Sequence, residues 1–323
     1  MRKHWKGAGA VFAAFAIVVM IAACGPTDES DPTGAGTPKG PITIGSKIDT
    51  EGEVLSSIVK LVLEDAGFAV VDKSQTGTTE VVRKAIIAGE IDLYPEYSGN
   101  GYWFFLDELT EDEKATYYIG QDGYETTARL DLEANDIVWL EPSRANNTWA
   151  IAVTEEFARA EGLTTMSDFA AYVNAGKPVK LAASDEFFTS AGNPEFEQAY
   201  GYTLSEDQKV RLAGGNTAAT EKAVADGTDG VNFGMAYGTD GALADLGLVI
   251  LTDDLGAQIV YWPTPIVRAE ILDAYPEIAD IIEPVMKALG LEELQQLNAR
   301  VQVNGEAADD VARDFLTEGG FIE

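Results

Sequence analysis

The stretch Thr78–Tyr102 limits the possible folds of this chain more than any other. It reads Thr-Thr-Glu-Val-Val-Arg-Lys-Ala-Ile-Ile-Ala-Gly-Glu-Ile-Asp-Leu-Tyr-Pro-Glu-Tyr-Ser-Gly-Asn-Gly-Tyr. Val81, Val82, Ala85 and Ile86 recur at helical spacing while Arg83, Lys84 and Glu90 stay polar, which predicts a helix opened by Thr78 and stopped at Gly89. A strand is expected over Ile91–Tyr94, ended by Pro95, with Glu96, Tyr97 and Asn100 presented on a loop. The second half holds a partial echo: a polar cap at Asn216, a helix to Gly227, and a strand from Val231 that delivers Tyr237 onto the Gly-rich run Gly238-Thr-Asp-Gly. Two helix–strand–loop units at this separation predict an α/β chain of two similar lobes, each lending a loop to a shared cleft.

The chain opens differently. Arg2, Lys3 and Lys6 precede the apolar run Ala8–Met20, and Ile21-Ala-Ala-Cys24 resembles a bacterial lipobox. Residues 1–23 are therefore expected to be a lipoprotein signal peptide, and Cys24 the lipidated residue. Cys24 is the only cysteine, so no intrachain disulfide is available. Residues 24–40, rich in Gly, Pro, Thr and Asp, read as a flexible tether.

From Pro41 a strand, an amphipathic helix over Glu53–Ala66 capped near Thr50, and a strand at Phe68 give a β–α–β opening. Asn146–Val153 and Ala257–Tyr261 read as strands that cross between lobes. The expected organisation is lobe one over 41–147, lobe two over 148–260, and a return to lobe one over 261–323.

The charge balance removes whole classes of function. Lys and Arg number 22 against 54 Asp and Glu, a net charge of −32 that loss of the basic leader makes more negative still. Such an exterior repels nucleic acid and anionic lipid. It also suits a salty habitat, where screening relieves carboxylate repulsion. The single histidine, His4, lies in the leader. Nucleophile systems based on His, and zinc sites based on His or Cys, are thereby excluded. No Walker-type phosphate loop occurs, and Gly214-Gly215 alone is a weak signal. A carboxylate-pair hydrolase stays open, but carboxylates are too abundant for any pair to be informative. The expectation is a protein that is not an enzyme and has no metal or cofactor.

What the strand ends offer is aromatic surface. Tyr97, Trp149, Tyr237 and Tyr261 each fall where α/β folds collect ligands. Aromatic faces attract a quaternary ammonium, which has no N–H to donate, by about 0.5–2 kcal/mol per good contact. Ordinary core packing is the alternative reading for each ring.

Six motifs carry a family resemblance: Gly45-Ser-Lys-Ile-Asp-Thr-Glu-Gly, Tyr94-Pro-Glu-Tyr-Ser-Gly-Asn-Gly, Asn146-Asn-Thr-Trp-Ala-Ile-Ala-Val, Lys180-Leu-Ala-Ala-Ser, Gly214-Gly-Asn-Thr-Ala-Ala-Thr and Ala236-Tyr-Gly-Thr-Asp-Gly. From Ile42 to Phe321 the chain resembles the substrate-binding proteins of ABC-type osmoprotectant importers, most like their low-affinity, stress-associated branch. The resemblance implies a two-lobed periplasmic-binding-protein fold of type II that closes on a ligand such as glycine betaine or choline. It implies a monomer outside the cytoplasm, held to a bacterial membrane only through its lipid, and delivering to ABC permease subunits. Sensing without transport is the alternative use of the same fold, and a structural or adhesive lipoprotein the blandest.

By the same resemblance Tyr97, Trp149, Tyr237 and Tyr261 form an aromatic cage, with Trp149 in place of a more usual tyrosine. Asn147 matches a position whose backbone carbonyl faces the ligand. Lys47 matches a contact to the ligand's carboxylate or hydroxyl end. Asn100 stands where betaine binders often have Thr and some choline binders have Asp. One departure matters: Glu186-Phe-Phe-Thr-Ser190 puts Ser190 where higher-affinity betaine binders place an Arg. Loss of a bidentate Arg–carboxylate pair, offset in part by helix-start donors at Thr78–Thr79 or Asn216–Thr217, predicts weak glycine betaine binding or a different quaternary or zwitterionic ligand.

Overall fold

Short β-branched and apolar runs become ten strands among the described residues of the computed structural model, which are 39–190, 192–212 and 217–323. Cys24, the expected leader, nearly all of the expected tether, and Gly214, Gly215 and Asn216 lie outside the described residues. The strands are β1 (Lys39–Lys47), β2 (Phe68–Gly77), β3 (Leu93–Tyr97), β4 (Ile137–Trp139), β5 (Trp149–Thr154), β6 (Leu181–Ser184), β7 (Lys209–Leu212), β8 (Phe233–Tyr237), β9 (Leu248–Ile250) and β10 (Pro263–Arg268).

They form two mixed sheets, ordered β2-β1-β3-β10-β4 and β7-β6-β8-β5-β9. Each sheet is a parallel triplet whose third strand pairs with an antiparallel neighbour: β3 with β10, and β8 with β5. β3 and β8, the strands of the sequence echo, hold the same place in their sheets. Each is preceded by its helix, Thr79–Ile87 or Thr217–Asp226. The fold is α/β, two-lobed and of type II.

Burial explains the lobes. Helix Thr50–Asp65 hides Val54, Leu55, Ile58, Val59, Leu61, Val62 and Leu63 against the first sheet and the C-terminal helices. At about 1.5–3 kcal/mol for each large apolar side chain removed from water, that one helix anchors its lobe. The second lobe is built on rings: Phe169 meets Tyr202 and Phe233 edge-on at 5.1 and 4.8 Å.

Three expectations are corrected here. Pro95 does not end a strand: β3 runs through it to Tyr97, and all five of its residues are buried. Glu96 and Tyr97 are therefore strand residues inside the lobe, and Asn100 opens a short helix, Asn100–Phe104. The expected strand over Ala257–Tyr261 is absent, and the strand forms later, at β10, in spite of Pro263 and Pro265. In an antiparallel strand the N–H and C=O of one residue point to the same side, and proline removes only the donor. The Pro263 and Pro265 carbonyls still accept from Ser143 and Leu140, so the edge of the ladder is held by acceptors. Third, as a refinement, the cap expected near Thr50 is its neighbour Asp49, accepting from the Gly52 N–H at 2.7 Å.

The links between sheets, β4 to β5 and β9 to β10, run side by side as extended segments. The Asn147 N–H donates to the Tyr261 carbonyl (3.0 Å), the Tyr261 N–H to Asn146 Oδ1 (2.8 Å), and the Thr148 hydroxyl to the Ile259 carbonyl (2.9 Å). These ties bring Asn147 and Tyr261 between the lobes.

Candidate ligand-binding cleft

Where β1 gives way to the helix Thr50–Asp65, Lys47, Asp49 and Glu51 come together at the first lobe's face. Lys47 is nearly buried and its ammonium pairs with Glu96 at 2.5 Å. Glu96 is fully buried, yet it is well supplied with donors. It also accepts from the Tyr94 hydroxyl (2.8 Å), the Tyr97 N–H (2.7 Å) and Asn100 Nδ2 (2.6 Å). The same ammonium stands 4.6 Å from the centre of the Tyr97 ring.

Glu51 is a second organising carboxyl. It accepts from the Tyr97 hydroxyl (2.8 Å), Asn147 Nδ2 (3.0 Å), Asn298 Nδ2 (2.7 Å) and the Thr239 side chain. Burial pushes it up to about 7, more than those hydrogen bonds bring it down, and Asp49 adds to the rise. Thr239 belongs to the second lobe, so the Glu51 carboxyl joins the two lobes. Beside it the helix Leu291–Gln302 passes so close to Gly241 that a Cβ there would lie 2.2 Å from the Ala299 nitrogen.

Between the crossing segments and the first lobe, Trp103 Nε1 donates to the Tyr261 hydroxyl at 2.9 Å. The Tyr261 ring lies flat on the backbone at Gly99, where a Cβ would meet it at 2.7 Å. In the second lobe Trp149 and Tyr237 are opposite one another across β5 and β8, and Trp149 meets Phe187 edge-on at 5.9 Å. The Tyr237 N–H donates to Asp240 at 2.7 Å, and the Thr217 hydroxyl also bonds that carboxyl. Behind it Glu221 is fully buried. Burial and the neighbouring Asp240 push Glu221 up to about 9, and burial raises Asp240 as well, so the pair shares a proton at neutral pH. Burial likewise pushes Glu195 up to about 7, where it accepts from the Tyr118 hydroxyl of the first lobe at 3.3 Å.

Most of these groups line one cavity of about 670 Å³, with Glu96 and Glu221 behind its wall. Lys47, Tyr97, Asn100, Asn147, Trp149, Tyr237 and Tyr261, all singled out in the sequence, border it together, as does Ser190. Ser190 donates to the Glu186 carbonyl at 2.6 Å. Sequence reading missed Glu51, Trp103, Glu195, Thr239, Asp240 and Asn298, which also line the cavity. Glu51 and Asp240 sit inside the quoted motifs and were within reach. Glu195 and Asn298 come from helices with no local signal of a site.

The profile of a family described as the substrate-binding domain of ABC-type glycine betaine transport systems matches residues 40–318. The chain belongs to this family. It is 49% identical over 284 residues to the glycine betaine-binding protein YehZ of Escherichia coli, covering 88% of this chain and 92% of the relative. A glycine betaine-binding protein of Pseudomonas aeruginosa is 30% identical, covering 87% and 89%. The solved structure of apo YehZ from E. coli superposes with a TM-score of 0.79 over 87% of this chain and 99% of that one. Family members are substrate-binding components of importers, and the cleft between the lobes is where this member's polar and aromatic side chains converge.

Proposed function

We propose that this chain is the extracytoplasmic solute-binding component of an ABC importer and captures glycine betaine or a related quaternary amine in the interlobe cleft. The supporting observation is the convergence of Tyr97, Trp149, Tyr237 and Tyr261 on one cavity, in a chain half identical to a glycine betaine-binding protein. Rings from both lobes and from a crossing segment suit a trimethylammonium group, which gains from π faces and needs no acceptor. Lys47, Asn100 and Asn147 surround the polar end. Membership of the two sheets supports a division into 41–147, 148–260 and 261–323. Cys24 carries the lipid that holds a monomer near its permease, and no described helix is long and apolar enough to cross a membrane.

Calorimetric titration with glycine betaine, choline and carnitine tests the reading, with Trp149→Ala and Tyr237→Ala alongside. The expected result is saturable binding weakened about tenfold or more in each variant while the melting transition is kept. No saturation by any of the three at about 100 mM, roughly the weakest range a capture protein can use, overturns it.

A further inference from the structure

The cleft is lined by five carboxyl side chains, Asp49, Glu51, Glu186, Glu195 and Asp240, and among the described residues by a single cation, Lys47. That cation is already paired with Glu96. The other groups suited to a ligand's carboxylate are engaged in the same way. Asn100 donates to Glu96. Asn147, Asn298 and the Tyr97 hydroxyl donate to Glu51. The Tyr237 N–H and the Thr217 hydroxyl, at the start of helix Thr217–Asp226, bond Asp240. The side-chain atoms left without a partner beside Glu51 are acceptors, Oδ1 of Asn147 and Oδ1 of Asn298; across the cleft Trp149 Nε1 is an uncharged donor next to Tyr237. The start of helix Thr79–Ile87 has no side-chain cap and offers backbone donors, but no formal positive charge, and Glu80 in its first turn is paired with Lys84.

We infer that Glu51, Glu96 and Asp240 are specificity-determining residues. They are built-in anions that hold the donors a ligand's carboxylate would use, so the cleft prefers an alkylammonium cation without a carboxylate, such as a quaternary aminoalcohol, over a zwitterion. The inference rests on the quaternary-amine reading and narrows it. A zwitterion brings a second anion to a site that has no free positive charge to receive it, whereas a cation relieves the repulsion among the carboxylates.

Proton uptake follows. The ionisable groups around Glu51 are Asp49 at its own helix start, Lys47 on β1, and Glu96 and Tyr97 on β3, with Glu186, Glu195, Tyr237 and Asp240 of the second lobe across the cavity. The helix Leu291–Gln302 contributes only the uncharged Asn298 and Gln302. Glu51 titrates near neutrality because burial outweighs its hydrogen bonds. Protonation removes one built-in anion, so falling pH strengthens zwitterion binding and weakens cation binding.

The test is titration of the purified chain with choline and with glycine betaine at about pH 8 and about pH 6, on either side of that titration. The unsubstituted protein is run beside Glu51→Gln and Asp240→Asn. Choline is expected to bind at least about tenfold tighter than glycine betaine at the higher pH, a difference that narrows at the lower pH. Glu51→Gln should narrow it without acidification and reduce its pH dependence, the remainder belonging to Glu195, which titrates in the same range, and Asp240→Asn should narrow it independently. Glycine betaine binding tighter than choline in the unsubstituted protein, or a ratio that neither substitution moves in variants with intact melting transitions, overturns the inference and leaves the quaternary-amine reading standing. Binding of neither ligand overturns both. The unsubstituted comparison decides the matter even if a variant fails to fold.

Discussion

At the scale of the residue, Glu96 is the pivot of the first lobe. Its fully buried carboxylate holds Lys47, Asn100, the Tyr94 hydroxyl and a backbone N–H at once. Removing the charge from one partner of a buried ion pair leaves the other uncompensated. Glu96→Gln is therefore expected to destabilise the protein by about 3 kcal/mol in urea unfolding, and a loss under about 1 kcal/mol would count against this role. Its place was legible in part: the Tyr94-Pro-Glu-Tyr motif marked the spot, but proline chemistry suggested an exposed loop. The strand continues because Pro95 faces Pro265 on β10, and the pairs on either side, Tyr94 with Ile266 and Glu96 with Thr264, keep the register.

At the scale of the element, the contact between Gly241 and the helix Leu291–Gln302 sets how close the second lobe comes to the first. A methyl at Gly241 would have to displace helix backbone, not a flexible side-chain end. Gly241→Ala is expected to cost about 1–3 kcal/mol by thermal melting, the usual range for overpacking, and to weaken ligand binding as well. An unchanged melting temperature would mean that the helix moves aside freely. The helices themselves were largely readable, since periodicity and polar caps are local. The strand at β10 was not, because its prolines hide a β pattern that only the carbonyl acceptors of Pro263 and Pro265 make workable.

At the scale of the whole molecule, charge governs stability. Glu51 and Glu195 are both raised by burial, from 4.5 to about 7. A carboxyl raised in the folded state binds its proton more tightly folded than unfolded, so its protonated form favours folding below about 4.5, and that advantage is lost as pH rises through about 7. Half-exposed carboxyls such as Asp168, lowered by their hydrogen bonds, act in the opposite sense at more acid pH, where their contribution is lost. A net charge of −32 adds general repulsion at high pH. The melting temperature is expected to be about 3–6 °C higher near pH 5.5 than near pH 8, a gap that salt and Glu51→Gln each reduce. Calorimetry showing a lower melting temperature at the more acid pH would contradict this account.

By itself the sequence determined the α/β class, the repeated helix–strand unit and the four rings that line the cleft, and its motifs added Lys47, Asn100 and Asn147. The class, the unit and the rings follow from residue type or from spacing within about one helix and one strand, the range over which periodicity and capping act, whereas the other three residues rest on the family resemblance of their motifs. The tertiary structure alone decided which groups are already engaged: Glu51 with Asn147, 96 residues away, and with Asn298, 247 away, and Lys47 with Glu96. Partnerships at that separation depend on how the two sheets and the crossing segments bring distant backbone together. The ionisation of Glu51 depends in turn on the burial that results, which no local pattern encodes.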